Sequence, residues 1–149
     1  IWKEMFNKDR LILTTGPQMR RYFFSVDQAV SLVDQALRLK DKLNGKILSV
    51  EMKSSKMIDI LKTWIKKYGG KYKIINTRKG DRLDEYLIGE DELKYTQELK
   101  IKGKKYYIID FNKLSKKPLK KVVSSANAKR LSTSEIEKII QFGINNNDL

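Results

Sequence analysis

The sequence predicts an α/β fold, and two observations lead to this prediction. Segments with helical and with strand periodicity alternate along the 149 residues, and the connections between them are short. The best-defined helix follows Ser25, which together with Gln28 has the S-x-x-Q spacing of a capping box. This length favours a single domain.

The first half of the chain alternates helices with short strands. Its predicted elements are a helix-like segment at 1–6, a strand at 11–14 ended by Gly16 and Pro17, a helix from Ser25 to about Asn44 and Gly45, a strand at 46–50, a helix capped by Ser54 or Ser55 and ended by Gly69 and Gly70, and a strand at 72–76.

The second half is predicted to contain a hairpin and a final helix. Its elements are a short amphipathic segment at 83–88, an acidic solvated stretch at 89–92, a hairpin at 99–109 that turns at Gly103, a basic loop at 113–121, and a helix from Ser132 whose capping box is completed by Glu135.

Composition narrows the functional classes. The chain has neither Cys nor His, so disulfides, thiolate chemistry and the commonest metal ligand are absent, and a cytoplasmic location is expected. It has no apolar run of membrane-spanning length and no basic-then-apolar leader, so no membrane partner is expected. The net charge of +14 allows nucleic-acid binding, but the excess is mainly Lys rather than Arg, so that partner is not favoured.

The stretch from Arg78 to Glu85 carries the main functional signal. Arg78 follows a strand, and Gly80 permits a tight turn or a close approach of a ligand to the backbone. A guanidinium placed there matches a phosphate with two parallel hydrogen bonds. The alternative is a polar strand-to-helix loop in which Arg78 pairs with Asp81 or Glu85.

Three stretches resemble one family, in the right order. Residues 78–85 resemble the R-P-G-E-K-L-H-E segment of extended short-chain dehydrogenases/reductases of the polysaccharide-biosynthesis branch, residues 19–30 resemble its M-T-R-F-F-x-T-x-x-x-A-V segment, and residues 124–135 its S-D-N-A-x-R-L-S-x-x-E segment. That branch contains UDP-N-acetylglucosamine 4,6-dehydratases and UDP-sugar 4-epimerases. Departures of the chain from the pattern include Arg20 in place of Thr, Lys79 in place of Pro and Asp84 in place of His.

The resemblance implies substrate-binding roles for three residues. Arg78 would contact the diphosphate of the nucleotide, and Glu85 would bond the ribose or fix Arg78. Arg21 would either reach the substrate or anchor its loop through backbone carbonyls. The acidic residues near this stretch lack a regular ligand spacing, so no metal site is predicted.

The resemblance also implies the position of the chain in a longer enzyme. Neither a Gly-rich dinucleotide turn nor a Tyr-x-x-x-Lys pair is present, so no cofactor-binding or catalytic residue is assigned here. Residues 1–149 would be a C-terminal portion, in which about 1–51 complete the Rossmann-type cofactor domain and about 52–149 form the substrate-binding lobe. An absent N-terminal portion would bind NAD(P). The start at Ile1 agrees with this expectation.

The predicted function is UDP-sugar binding within an NAD(P)-dependent UDP-N-acetylglucosamine 4,6-dehydratase of surface-polysaccharide synthesis. A UDP-sugar 4-epimerase is the alternative within the family, and a small basic nucleic-acid-binding module is the alternative from another class. The intact enzyme is expected to be a homo-oligomer.

Overall fold

The computed structural model describes residues 2–76 and 80–145, with side chains as far as residue 143. Five α-helices and nine β-strands lie in these ranges: α1 (Trp2–Asp9), β1 (Leu11–Thr14), β2 (Arg20–Phe23), α2 (Val26–Arg38), α3 (Lys40–Leu43), β3 (Ile47–Val50), β4 (Lys53–Lys56), α4 (Met57–Tyr68), β5 (Lys71–Ile74), β6 (Tyr86–Ile88), β7 (Thr96–Ile101), β8 (Lys104–Ile109), β9 (Val123–Ser124) and α5 (Thr133–Asn145). A 3₁₀ helix, Glu90–Tyr95, precedes β7.

The chain forms two compact units, each built from separate segments. The first unit contains residues 1–21, 54–85 and 130–149, and the second contains 22–53 and 86–129. Strands β2 and β4 form a two-stranded sheet. The predicted boundary near residue 51 separates a cofactor domain from a substrate-binding lobe in a longer enzyme, and it stays a prediction.

In the first unit, β1 and β5 form a parallel pair with Leu11 opposite Lys71. The buried side chains come from α1, β1, α4 and α5: Phe6, Ile12, Ile60, Leu61, Trp64, Ile136 and Ile140. Phe6 meets Trp64 edge to face, with ring centroids 5.6 Å apart. Helix α4 packs against α5.

In the second unit, the antiparallel sheet has the strand order β3-β8-β7, and β6 pairs with β9. Ile88, Tyr107 and Ile109 form its buried cluster, against which Leu93 and Leu119 pack. Burial raises the pKa of the Tyr107 hydroxyl, so this tyrosine stays neutral in the core. The predicted hairpin is confirmed, and Gly103 takes a φ of +77° in its turn.

The two predicted capping boxes are confirmed. The Ser25 hydroxyl accepts from the Gln28 amide at 3.2 Å, and the Gln28 side chain accepts from the Ser25 amide at 2.8 Å. At the start of α5, the amide of Ser132 donates to Glu135 at 2.9 Å, and the amide of Glu135 donates to the Ser132 hydroxyl. Local side-chain chemistry therefore fixes where these two helices begin.

The predicted cap of α4 is wrong. Ser54 and Ser55 lie in β4, and the helix begins after Lys56, whose side chain makes no capping bond. The first amides of α4 instead donate to the backbone of the loop between β1 and β2, from Met57 to the Met19 carbonyl at 2.9 Å and from Ile58 to the Pro17 carbonyl at 2.8 Å. Because these bonds satisfy helix donors that would otherwise be unpaired, no side-chain cap is needed.

The short amphipathic segment predicted at 83–88 ends in a strand, since residues 83–85 lead into β6. The acidic stretch at 89–92 is structured rather than merely solvated, because the Glu92 carboxylate accepts from the Gly89 amide at 2.7 Å. No helix within the described ranges is long and apolar enough to cross a bilayer.

Helix α2 presents an exposed apolar stripe. Val26, Val30, Val33 and Leu37 follow each other at helical spacing and are between 58% and 66% exposed. The apolar periodicity predicted an amphipathic helix correctly, but the described part of the chain does not bury this face.

Replacement of Leu61 by Ala should lower the free energy of unfolding by about 2–5 kcal/mol, because the side chain is fully buried and its removal leaves a cavity. The matched change Val33→Ala, at a position that is 60% exposed on α2, should change it by less than about 0.5 kcal/mol. Urea unfolding followed by circular dichroism measures both. Equal losses for the two variants would contradict the assigned core.

Candidate substrate-binding site

The structure brings together the two stretches that carry Arg21 and Glu85. Arg21 lies in β2, and Glu85 lies immediately before β6, both in the first unit. Arg21 Nε is 3.5 Å from Glu85 Oε1. Arg78 lies outside the described residues. We refer to residues 80–85, the described part of the stretch from Arg78 to Glu85, as the 80–85 loop.

The Arg21 guanidinium is directed at the backbone of this loop. Nη2 donates to the Arg82 carbonyl at 3.0 Å, and Nη1 donates to the Leu83 carbonyl at 3.4 Å. Nη1 also donates to the carbonyl of Arg20 at 2.9 Å. Because arginine presents five N–H donors in a fixed fork, one side chain can hold several carbonyls at once. The geometry corresponds to the anchoring alternative, while the role of Arg21 toward substrate stays a prediction.

Arg20 forms a second link to the same loop. Its Nη2 donates to Asp84 Oδ2 at 2.6 Å, and its Nε donates to Asp84 Oδ1. Both side chains are less than a quarter exposed. The Arg20 amide donates to the Leu83 carbonyl at 2.8 Å, so backbone and side chain bind adjacent loop residues. The hydrogen bond to Asp84 raises the pKa of Arg20, and this arginine remains charged.

Gly80 opens the loop with a φ of +92°, a conformation that favours glycine. This agrees with the tight turn predicted there. The loop then continues to β6 without a helix, and its carbonyls at 82 and 83 face the two arginines of β2. The candidate site is therefore a strand-anchored loop rather than a helix terminus.

Charge at the described part of the site is balanced. Arg20 and Arg21 face Asp84 and Glu85, so these four side chains contribute no net charge. The paired arginines hold the loop in place, and the expected contact of Arg78 with a diphosphate stays a prediction.

The third stretch that resembles the family also binds a strand of the first unit. Arg130 Nη1 donates to the Ser54 hydroxyl at 2.5 Å, and the Leu131 amide donates to the Ser54 carbonyl at 3.0 Å. Ser54 is fully buried in β4. This contact explains why Ser54 does not cap α4.

The glycine spacing of the sequence and the side chains of the described residues bear on the binding of a dinucleotide or a metal. Its glycines have no phosphate-cradling spacing anywhere in the sequence. Within the described ranges, no group of three or more acidic side chains could hold a metal ion. Asp84, one of the acidic residues of this stretch, pairs with Arg20.

Sequence reasoning missed the Arg20–Asp84 pair. Both residues were recognised as departures from the family pattern, but each was considered alone. Their opposite charges were the available signal. Two departures that create a cation and an anion can compensate each other when the fold brings them together.

Comparison with known proteins gives three findings. A family model described as a polysaccharide biosynthesis protein matches residues 1–109. An uncharacterized membrane protein of Methanocaldococcus jannaschii is 32% identical over 93% of this chain and 43% of its own length. The X-ray structure of Pen from Bacillus thuringiensis matches with a TM-score of 0.76 and 21% identity, over 95% of this chain and 43% of that one.

The structural match confirms the predicted α/β fold class, and the position of the chain in the C-terminal part of a longer enzyme stays a prediction. The chain spans less than half the length of each of these two proteins.

The Arg20–Asp84 pair should limit the opening of the 80–85 loop by a measurable amount. Arg20→Ala or Asp84→Ala alone should speed amide hydrogen exchange at residues 80–85, and the double variant should exceed either single change only slightly. Asp34 and Arg38 of α2 provide a matched control pair, since both are more than half exposed and should show weak coupling. Additive effects of Arg20→Ala and Asp84→Ala would contradict the assigned link.

Proposed function

Because the chain belongs to the polysaccharide biosynthesis protein family, we propose that it is the UDP-sugar-binding portion of a UDP-N-acetylglucosamine 4,6-dehydratase. A nucleotide-sugar-related role is the coarser conclusion, supported by the family and by the fold. The more specific part of the proposal is the 4,6-dehydratase reaction with UDP-N-acetylglucosamine as its substrate.

One observation carries the proposal: two of the three stretches that resemble the family meet, through contacts between residues more than sixty positions apart in the sequence. Arg20 and Arg21 of the first stretch bind Arg82, Leu83, Asp84 and Glu85 of the second. The second stretch contains Arg78, the proposed ligand of the diphosphate. A bidentate arginine suits this task because it neutralises and orients phosphate oxygens without reacting with them.

In this proposal the described residues bind and position the substrate. Arg21 fixes the loop and Glu85 limits the movement of Arg21, whereas Arg78 supplies the charge that UDP requires. Arg20 and Asp84 keep the loop on the strand. None of these groups performs acid–base chemistry on the sugar, and no catalytic residue is proposed in this chain.

The nicotinamide cofactor would be held elsewhere in the whole protein. This chain has no Gly-rich turn to receive a pyrophosphate. NAD(P) would supply the oxidation–reduction chemistry when bound by the portion that the relatives contain beyond the matched region. A homo-oligomeric state and a cytoplasmic site are part of the same proposal. The Methanocaldococcus relative is described as a membrane protein. The proposed sugar-nucleotide binding also holds for a whole protein that is attached to a membrane.

Replacement of Arg78 by Ala in the whole protein should weaken UDP binding by about tenfold to a hundredfold, as expected for loss of a charge-assisted hydrogen bond. Isothermal titration calorimetry with UDP measures the change. Arg38→Ala is the matched control, because Arg38 is exposed on α2 and pairs with Asp34. An Arg78→Ala protein with the affinity of its parent would remove Arg78 from the site.

The reaction itself is tested by product mass. The whole protein, given UDP-N-acetylglucosamine and NAD(P), should yield a sugar nucleotide lighter by one water, detected by mass spectrometry. A 4-epimerase would change the chromatographic mobility and leave the mass unchanged. That second outcome would replace the dehydratase assignment but keep the proposed binding site.

A further inference from the structure

The positive charge of this protein is concentrated in one part of the sequence. Residues 111–134 contain seven basic residues and no acidic residue, which amounts to half of the net charge of +14. Five of the seven are lysines at 113–121, which we call the basic loop. These lysines are Lys113, Lys116, Lys117, Lys120 and Lys121, and all five are exposed.

The basic loop is held in place although it contains no helix or strand. The Ser115 amide donates to the Lys94 carbonyl at 2.9 Å, and the Leu119 amide lies 3.3 Å from the Leu93 and Thr96 carbonyls. The Leu119 side chain packs against the buried cluster of the second unit. The Lys117 amide donates to the Ser115 hydroxyl at 3.2 Å. The lysines are therefore displayed by a backbone fixed at several points.

Two large apolar side chains are exposed among these lysines. Phe111 is 53% exposed and Leu114 is 63% exposed. Phe111 rests against Tyr95, with ring centroids 5.6 Å apart, and its remaining surface faces solvent. An exposed aromatic ring and an exposed leucine beside several ammonium groups form a surface that is both apolar and cationic.

The same region contains a cavity of about 170 Å³ whose polar lining includes three lysines, one aspartate and Ser115. The lysines are Lys46, Lys113 and Lys116, and the aspartate is Asp110, whose Oδ2 is 3.5 Å from Lys46 Nζ. Asp110 is the one carboxylate of the lining, so Lys113 and Lys116 do not pair with a carboxylate of this cavity. The cavity has the charge to receive one anionic group.

We propose that the basic loop, with Phe111 and Leu114, binds the surface of an anionic lipid bilayer. The lysines and the cavity would meet lipid phosphates, while Phe111 and Leu114 would enter the boundary between headgroups and acyl chains. Such binding is peripheral and needs no spanning helix. It departs from the sequence-based expectation of no membrane partner, which considered only spanning segments and leaders.

The apolar side chains favour a bilayer over a nucleic acid. A bilayer has an anionic headgroup layer directly above an apolar layer, so it can contact both the lysines and the apolar side chains of the protein. The lysine stems can extend along the apolar layer while their ammonium groups stay among the headgroups. A nucleic acid offers no apolar layer for Leu114. The loop also lacks arginine, the side chain most used to read nucleic acids.

The test is cosedimentation with vesicles of phosphatidylcholine alone or mixed in equal parts with phosphatidylglycerol. The chain should bind the mixed vesicles and not the neutral ones. Changing Lys116, Lys117 and Lys120 together to Gln should weaken binding by roughly tenfold or more. The charge-matched control changes the exposed Lys62, Lys66 and Lys67 of α4 to Gln, and it should bind nearly like the parent.

A second variant, Phe111→Ser with Leu114→Ser, should bind the mixed vesicles more weakly, and the deficit should persist in high salt, which screens the lysines. Thermal unfolding by circular dichroism identifies any variant that fails to fold. Equal losses in the loop variant and its control would overturn the proposal, because binding would then follow net charge alone. Unchanged binding of the double serine variant would overturn it as well.

A labelled oligothymidylate measured by fluorescence anisotropy provides the competing partner. Weak binding that the loop variant and the α4 control reduce equally would support the lipid assignment. Tight binding lost only in the loop variant, together with no binding to mixed vesicles, would assign the surface to nucleic acid instead. Neither result depends on the proposed sugar-nucleotide site, which lies in the other unit.

Discussion

Two adjacent arginines on one short strand organise the candidate site. Arg20 and Arg21 together contact the four residues from Arg82 to Glu85, through both carboxylates and backbone carbonyls. Exposed ion pairs contribute little to stability in general, but a bidentate pair with both side chains mostly covered is better placed to fix geometry. The position of the loop after Gly80 depends on these contacts, and the proposed phosphate ligand Arg78 is part of the same stretch.

The Arg20–Asp84 pair also explains two departures from the family pattern. Arginine in place of Thr at position 20 and aspartate in place of His at position 84 are each unexpected when considered alone. Joined by two hydrogen bonds, they cancel each other's charge and bind strand to loop. The pair therefore gives a physical reason for both substitutions, and it leaves the family arginine and glutamate at positions 21 and 85 in contact.

The sequence predicted best those features that neighbouring residues determine. Ser25 with Gln28 and Ser132 with Glu135 mark true helix starts, and Gly69 and Gly103 mark true turns, because each signal acts within a few residues. The errors concern contacts over long sequence separation. Arg130 and Leu131 bind Ser54, so Ser54 does not cap a helix as local chemistry suggested, and no local signal indicated that β2 binds the residues after Gly80. Periodicity likewise identified α2 as amphipathic but could not say what covers Val30 or Val33.

Exchange of the two charges between positions 20 and 84 tests the central claim most directly. In the whole protein, Arg20→Asp alone and Asp84→Arg alone should each lower the affinity for UDP, because the loop loses its link to β2. The combined variant should recover most of the affinity, measured by calorimetry against the parent protein. If the single changes leave UDP binding intact, or if the combined variant binds UDP no better than the single variants, the pair does not position the 80–85 loop for substrate binding.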